Sequence, residues 1–491
     1  RRGALLANGQ PAGDGMSARS LLHNSASLVA GRIALSALRM ISALIVARLA
    51  GAADFGAYML VLAYVTLFEW LVDFGQTDIA VRDIAHVPAR RDTLLTALAR
   101  IKALQGVAGA AALPLLLAMG DDRALVLAGL VGGASVLANA WLQPARAALR
   151  LAMRMDRDIA AELAGTLATL PLLAAAAWAG APVALLTAAF AAARLVQAGL
   201  AIHWAAPLMR RCAPPRGMAL DLLRQAAPLG LAGLLVVTYD ALAPLLLARL
   251  LDLKAVALYM AAARFIFPVL VAVQGVTSAF FPVLAQRGAG LARTQQAALI
   301  LSTGAAALMF AGIHGGASFL MGLMGPEFLA GVAVLRLMAW TLLLRAITTV
   351  MSPLIVIAGW QGKAMGLTLL SLMGQGAALL LLVPRFGVLG AAIGYLVVEL
   401  LLGTAIVSWL GQRAVQIRLD WRPVAALLAI AAASVAIVDA SPIAGSFLGG
   451  VVAGTLVTTL AAIAAVAARF SIRPLWHELR QGRMIVSGGM A

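Results

Sequence analysis

Residues 225–249 read QAAPLGLAGLLVVTYDALAPLLLAR. The run is continuously apolar apart from Asp240 and its flanks, and it lacks the alternation of a barrel strand. At 1.5 Å per residue it makes a helix of about 37 Å, longer than the roughly 30 Å of hydrocarbon in a bilayer. Similar runs recur from end to end of the 491 residues. The whole chain is 63% hydrophobic and 12% charged, with mean hydropathy +0.97. A soluble domain carries about 25% charged residues. Helices satisfy every backbone hydrogen bond internally, as lipid demands. The composition therefore predicts an all-α polytopic membrane protein.

About fourteen transmembrane helices are expected, at roughly 25–48, 55–77, 100–119, 124–143, 160–179, 182–206, 225–249, 256–284, 297–321, 330–358, 363–384, 387–410, 423–440 and 447–469. The net charge of +17 comes from 37 Lys and Arg against 20 Asp and Glu. The cations do not cluster into a nucleic-acid surface. Of the 37, 26 fall in alternate loops, six in the opposite loops and five inside spans. The positive-inside rule then predicts both termini in the cytoplasm. The first apolar run, from about Ser25, reads as a full-length span rather than a cleavable signal, and the residues before Met16 are given no role. Cys212 stands alone in a basic loop, so no intrachain disulfide is expected.

An internal repeat organises the spans. Ala47-Arg48-Leu49 and Tyr58-Met59 reappear as Ala248-Arg249-Leu250 and Tyr259-Met260, a constant offset of 201. A weaker echo relates Pro144 and Arg154 to Pro353 and Lys363 at an offset of 209. Copies starting at the first and seventh spans enter the membrane from the same side, which makes a parallel repeat. The expected division is a tail (1–24), a six-helix N-terminal lobe (25–206), a linker (207–224) and a six-helix C-terminal lobe (225–410). Two further helices (411–469) and a second cytoplasmic tail (470–491) complete it. The two pseudo-symmetric bundles would enclose a central cavity.

Five arginines interrupt the apolar spans: Arg32, Arg39, Arg194, Arg264 and Arg345. A cation at the centre of a membrane helix costs about 2.5–3.5 kcal/mol on insertion scales, so each should face a cavity or a partner. Arg32, Ser36 and Arg39 share one helix face. Arg32, Arg39, Arg264 and Arg345 are the candidate substrate contacts, together with Asp240. Arg194 is read as snorkelling towards an interface, and Arg345 alternatively as a structural partner between helices. The offset of 201 carries Arg39 onto Asp240, which predicts that these two charges pair across the pseudo-twofold axis. Pro244, four residues after Asp240, predicts a kink. Glu69, Asp73, Asp240 and Glu399 are the titratable candidates for ion coupling. Tyr58 and Tyr259 read as interface anchors.

No phosphate-binding loop, metal-ligand spacing or nucleophile motif is present, so neither a cofactor nor an enzymatic activity is expected. Loops of at most about 25 residues leave no room for a large extramembrane domain.

Several short stretches resemble the polysaccharide-transporter branch of the multidrug/oligosaccharidyl-lipid/polysaccharide exporter superfamily, the Wzx-type flippases. They are Asn24 through Leu49 followed by Ala53-Asp54-Phe55-Gly56-Ala57-Tyr58; Asp73-Phe74-Gly75 with Arg82-Asp83-Ile84-Ala85; and Asp240 followed by Tyr259, Ala262, Ala263 and Arg264. The general pattern covers roughly residues 20–470. The resemblance implies a MATE-like pair of lobes, a V-shaped cavity and alternating access. It also implies a cargo of oligosaccharide on undecaprenyl diphosphate, crossing the bacterial inner membrane among membrane lipids, with a glycan polymerase and a chain-length regulator as partners. Arginines suit a diphosphate because their planar fork binds phosphate oxygens bidentately. A multidrug/cation antiporter of the same superfamily, a lipid II-type flippase and a non-transporting scaffold are the competing readings.

Overall fold

Ala- and Leu-rich runs have high helix propensity, and in lipid no alternative leaves the backbone satisfied. The structure, a computed structural model, describes residues 18–467 other than 119, 121, 211 and 286–290. Among the described residues the chain is helical and contains no strand. The helices are α1 (Ala18–Asp73), α2 (Gln76–His86), α3 (Arg91–Ala118), α4 (Arg123–Leu151), α5 (Met155–Trp178) and α6 (Val183–Ala205). There follow α7 (Met218–Leu250), α8 (Leu253–Ala285), α9 (Leu291–Gly315), α10 (Ala317–Met324), α11 (Val332–Ile357) and α12 (Gln361–Phe386). The chain continues with α13 (Val388–Val398), α14 (Val407–Val415), α15 (Arg422–Asp439) and α16 (Phe447–Ala467). A π-helical segment, Glu399–Ile406, joins α13 to α14, so the three form one crossing.

Twelve described segments are long and apolar enough to span a bilayer. The first of them holds two crossings, because α1 breaks at Gly51, where φ is 82° and only glycine is unstrained. With the shorter apolar stretch Phe447–Ala461, the expected fourteen are present. Large apolar side chains such as Leu104, Leu115, Trp178, Met373 and Leu381 point outward, as a lipid-facing surface requires. Glycines and alanines let helices approach inside each lobe: a Cβ at Gly133 would strike the Ala110 backbone, and one at Gly165 the Ala193 carbonyl.

The helices form two bundles. In the first, α3–α6 pack around the arms of α1; in the second, α8, α9, α11, α12 and α13 pack together, with α15 and α16 laid on α9. The bundles meet where α1 packs on α7 and α8. The repeat is visible in this geometry. The break at Gly51 has its counterpart 201 residues on, where α7 ends and Asp252 caps α8 by accepting from Ala255 N at 2.7 Å. Gly56 packs against Ala257, also at the 201 offset, and a Cβ on Gly56 would meet the Leu253 carbonyl. Equivalent residues touch only where a twofold axis runs between them, so the pseudo-axis passes here.

The lobes touch at both ends. At the Gly51 end, Arg48 Nη1 donates to the Gly322 and Leu323 carbonyls at the C-terminus of α10, and Glu327 accepts from Ala52 N at 3.0 Å. Each is a charge placed at the helix end that favours it. Phe55 meets Phe328 edge-on at 5.5 Å beneath them. At the other end, Trp70 and Phe74 lie against Gly233 and Gly230 of α7, and Arg82 reaches Gln225. The Asp73-Phe74-Gly75 motif forms the turn that ends α1, with Phe74 at φ 43° and Gly75 at φ 70°.

Some expectations are corrected. Arg146, tallied with the loop cations beyond the expected span 124–143, lies inside α4, and Lys102, tallied with them although it falls in the expected span 100–119, lies inside α3. Tyr58 and Tyr259 are buried rather than placed at an interface. Both termini of the chain (1–17 and 468–491) lie outside the described residues.

Candidate functional site

A cavity of about 300 Å³ opens between α1, α5, α6 and the start of α8. Its polar lining comes from Arg39, Ser42, Thr66, Glu69, Thr166, Thr169, Arg194, Gln197 and Arg264, with Tyr58, Met59, Phe190 and Met260 among the apolar surfaces. The expected pairing of Arg39 with Asp240 is not formed. Arg39 Nη2 instead donates to Glu162 Oε1 on α5 at 2.6 Å, within its own lobe. Position 39 lies twelve residues before the Gly51 break, about 18 Å along the helix. Away from the Gly51 contact each charge turns to its own bundle, Arg39 to Glu162 and Asp240 to Arg345.

Arg194, expected at an interface, lines the cavity and is held by Glu69 Oε2 at 2.8 Å and by Gln197 at 2.9 Å. The Phe190 ring packs beside its guanidinium at 5.5 Å. Arg264 differs from both. Its Nη2 lies 3.1 Å from the Met59 sulfur, its Nε has no acceptor, and among the described residues no carboxylate pairs with it. Three arginines thus meet two carboxylates, leaving one positive charge in surplus on the C-terminal lobe's contribution to the cavity. The side chain of Arg32 lies outside the described residues.

The remaining candidates form a separate cluster in the C-terminal lobe. Arg345 Nη1 donates to the Tyr395 hydroxyl and lies 3.9 Å from Asp240 Oδ1, while its Nε lies 3.9 Å from Glu399 Oε2. Glu399 is buried at the start of the π-helical segment and accepts from Thr348 Oγ1 at 2.9 Å. Gly403, one turn on, leaves the room its carboxylate occupies, since a Cβ there would lie 2.6 Å from Glu399 Oε1. The pocket beside it, lined by Tyr239, Asp240, Tyr259 and Tyr395, holds about 30 Å³, one water's worth. The structure therefore brings Arg39, Glu69, Arg194 and Arg264 together and sets Asp240, Arg345 and Glu399 apart from them.

Asp73 belongs to neither group. Its carboxylate accepts from Thr77 at 2.7 Å and lies 3.3 Å from Lys102, whose Nζ also donates to the Val72 and Asp73 carbonyls. Lys102 is fully buried. It caps the C-terminal end of α1, so Asp73 and Lys102 hold the turn at the lobe contact.

Sequence reasoning missed Glu162, Arg146 and Asp158. Arg146 Nε donates to Asp158 Oδ1 at 2.8 Å, and its Nη2 lies 3.7 Å from Glu162 Oε2. The signal was Asp158 and Glu162 at i and i+4 on one face of α5, opposite a basic stretch of α4.

Two lobes around a polar cavity in a wholly helical membrane chain define a transporter architecture. The fold matches that of a lipid II flippase, MurJ, in an inward closed conformation, with a TM-score of 0.74 at 10% identity over 92% of this chain and 100% of that one. It is also similar to an inward-facing multidrug resistance MATE transporter of the MOP superfamily (TM-score 0.63, 16% identity, 79% and 98% covered). A MOP superfamily transporter from Pyrococcus furiosus gives a TM-score of 0.55 at 16% identity, over 81% and 95% of the two chains. No curated protein matches the chain by sequence. Residues 21–287 match the family described as polysaccharide biosynthesis protein. That is more than half of the chain, which belongs to this family, and its fold is the one these MOP superfamily transporters share.

Proposed function

We propose that the protein is a flippase that moves an undecaprenyl-diphosphate-linked oligosaccharide across the bacterial inner membrane by alternating access between its two lobes. The cargo would be an O-antigen, capsule or exopolysaccharide repeat unit. The observation that carries this reading is Arg264: a guanidinium on the cavity wall with no carboxylate to neutralise it, beside the paired Arg39 and Arg194. An unpaired cation in a low-dielectric cavity is stabilised by an anion, and a diphosphate offers the bidentate oxygens that a guanidinium fits. The prenyl chain would stay in lipid. At about 300 Å³ the cavity has the size of the smallest ligand pockets, enough for a diphosphate; the sugars would need the lobes to part.

In this reading the lobes are residues 25–206 and 225–410, and both termini are cytoplasmic. The Gly51 end of the cavity is then periplasmic and the Gly75 end cytoplasmic. A cation antiporter would need a free carboxylate in the cavity, whereas Glu69 is engaged by Arg194 and Glu162 by Arg39. Glu69, Asp73, Asp240 and Glu399 are the candidates for coupling, and a polymerase and a chain-length regulator are the candidate partners.

Surface-glycan export in cells lacking the native gene tests the proposal. Arg264→Ala, at normal expression, is expected to abolish export, while Arg264→Lys keeps a fraction of it. Full export by Arg264→Ala would overturn the anion reading.

A further inference from the structure

Glu162 does not line the cavity; it stands behind Arg39, which does. Its two oxygens face different arginines. Oε1 accepts from Arg39 Nη2 at 2.6 Å, and Oε2 lies 3.7 Å from Arg146 Nη2, just short of a hydrogen bond. Arg146 is fixed from the other side by Asp158 and is only 16% exposed, so its fork points at Glu162 whether or not Arg39 is engaged. Arg39, at 53% exposed, is the member that faces the cavity.

An anion arriving from the cavity competes with Glu162 for Arg39. Were Arg39 the carboxylate's sole partner, the anion would leave a bare charge among helices, at a cost that opposes binding. Arg146 removes that cost, since a small rotation brings Oε2 within reach of its Nη2. We propose that Glu162 is an exchangeable counter-ion, held by Arg39 in the empty carrier and passed to Arg146 when Arg39 takes the substrate's phosphate. Arg146 is then a positioning residue for substrate binding without touching the substrate, and the exchange requires no proton at this site. The inference rests on the cavity being an anion site.

The test is calorimetric binding of farnesyl diphosphate, a short prenyl diphosphate, to the purified full-length protein. Binding by the wild type and its loss in Arg264→Met establish the anion site; no binding, or wild-type binding by Arg264→Met, overturns that reading and this one with it. Given the site, Glu162→Gln frees Arg39 and is expected to tighten binding by about fivefold, the worth of a partly exposed ion pair. Arg146→Lys keeps the charge that Asp158 needs, but a single ammonium cannot serve both carboxylates as the fork does. It is expected to weaken binding several-fold in the Glu162 protein and to change nothing in the Glu162→Gln background. Binding by Glu162→Gln that is no tighter than wild type overturns the exchange, with the anion site intact. An equal effect of Arg146→Lys in both backgrounds also overturns it, because a purely structural loss would be additive.

Discussion

Substituting Gly56 by alanine should open the Gly51 end of the cavity. A Cβ at residue 56 would overlap the Leu253 carbonyl oxygen and lie 3.3 Å from the Ala257 Cβ. Neither neighbour can yield locally: Leu253 begins α8, pinned there by the Asp252 cap, and Ala257 is fully buried. The strain falls on the contact between α1 and α8, and overpacking of this kind costs about 1–3 kcal/mol. In a conformation where the lobes have parted at this end, the added methyl meets no such obstacle, and alanine is the better helix former by up to about 1 kcal/mol. At 1.4 kcal/mol per decade, the closed-to-open equilibrium should shift by about 5- to 150-fold. The assay uses a Cys212→Ser background with one new cysteine at Ser42 or Thr66, both on the cavity wall. A membrane-impermeant maleimide applied from the periplasmic side should label that cysteine faster by a factor within this range. Unchanged labelling, or faster labelling from the cytoplasmic side alone, would refute the assignment of Gly56 to the closing contact.

Three further outcomes follow from the same geometry. Glu327→Ala removes the acceptor from Ala52 N and should cost about 1 kcal/mol of the same closure, giving roughly fivefold faster labelling in the same assay. Lys102→Met takes the cation from the Asp73 carboxylate, which keeps only Thr77, and the donor from two helix-terminal carbonyls, which should lower stability by about 3 kcal/mol, read as a fall in thermal midpoint. Adding Asp73→Asn should recover part of it. Arg345→Met should cost about 3 kcal/mol, towards the low end for a broken buried pair because Asp240 is 42% exposed. Arg345→Lys should not restore the loss, since Arg345 meets Tyr395 and Asp240 through Nη1 and Glu399 through Nε, two positions that one ammonium does not occupy.

The apolar runs and the repeat made the architecture legible, because both are periodic and a bilayer admits few alternatives. The five identities at the 201 offset even marked the turn, Gly51 in one copy and Asp252 in the other. Charge partners were harder to read. Arg39 and Asp240 are equivalent in the repeat, yet equivalence places residues symmetrically about an axis and brings them together only beside it. Gly56 and Ala257 satisfy that condition; Arg39 and Asp240, seventeen positions before them, do not. Glu162 was lost among Asp156 and Asp158, where the start of a helix looks like the end of a loop. Arg146 was lost for the same reason, since a helix that extends past the apolar segment carries loop-like charges inside it.

The two lobes share a scaffold and invert its charges. In the N-terminal lobe the residue at position 39 is an arginine on the cavity wall, with its carboxylate partner behind it on α5. In the C-terminal lobe the equivalent residue is Asp240, and the arginine, Arg345, stands on α11. Arg345 is engaged by Tyr395, Asp240 and Glu399 beside a small pocket of about 30 Å³ and does not line the larger cavity. Among the described residues this lobe's charged contribution to that cavity is Arg264, which reaches across from α8 to the Met59 sulfur. Anion binding would therefore draw on both lobes, with Arg39 and Arg194 on one side and Arg264 on the other. Because those lobes must separate for transport, a phosphate bridging them would stabilise the closed cavity and lose half its contacts on opening. Release would then follow from the lobe motion itself, without a change in the charge of any arginine.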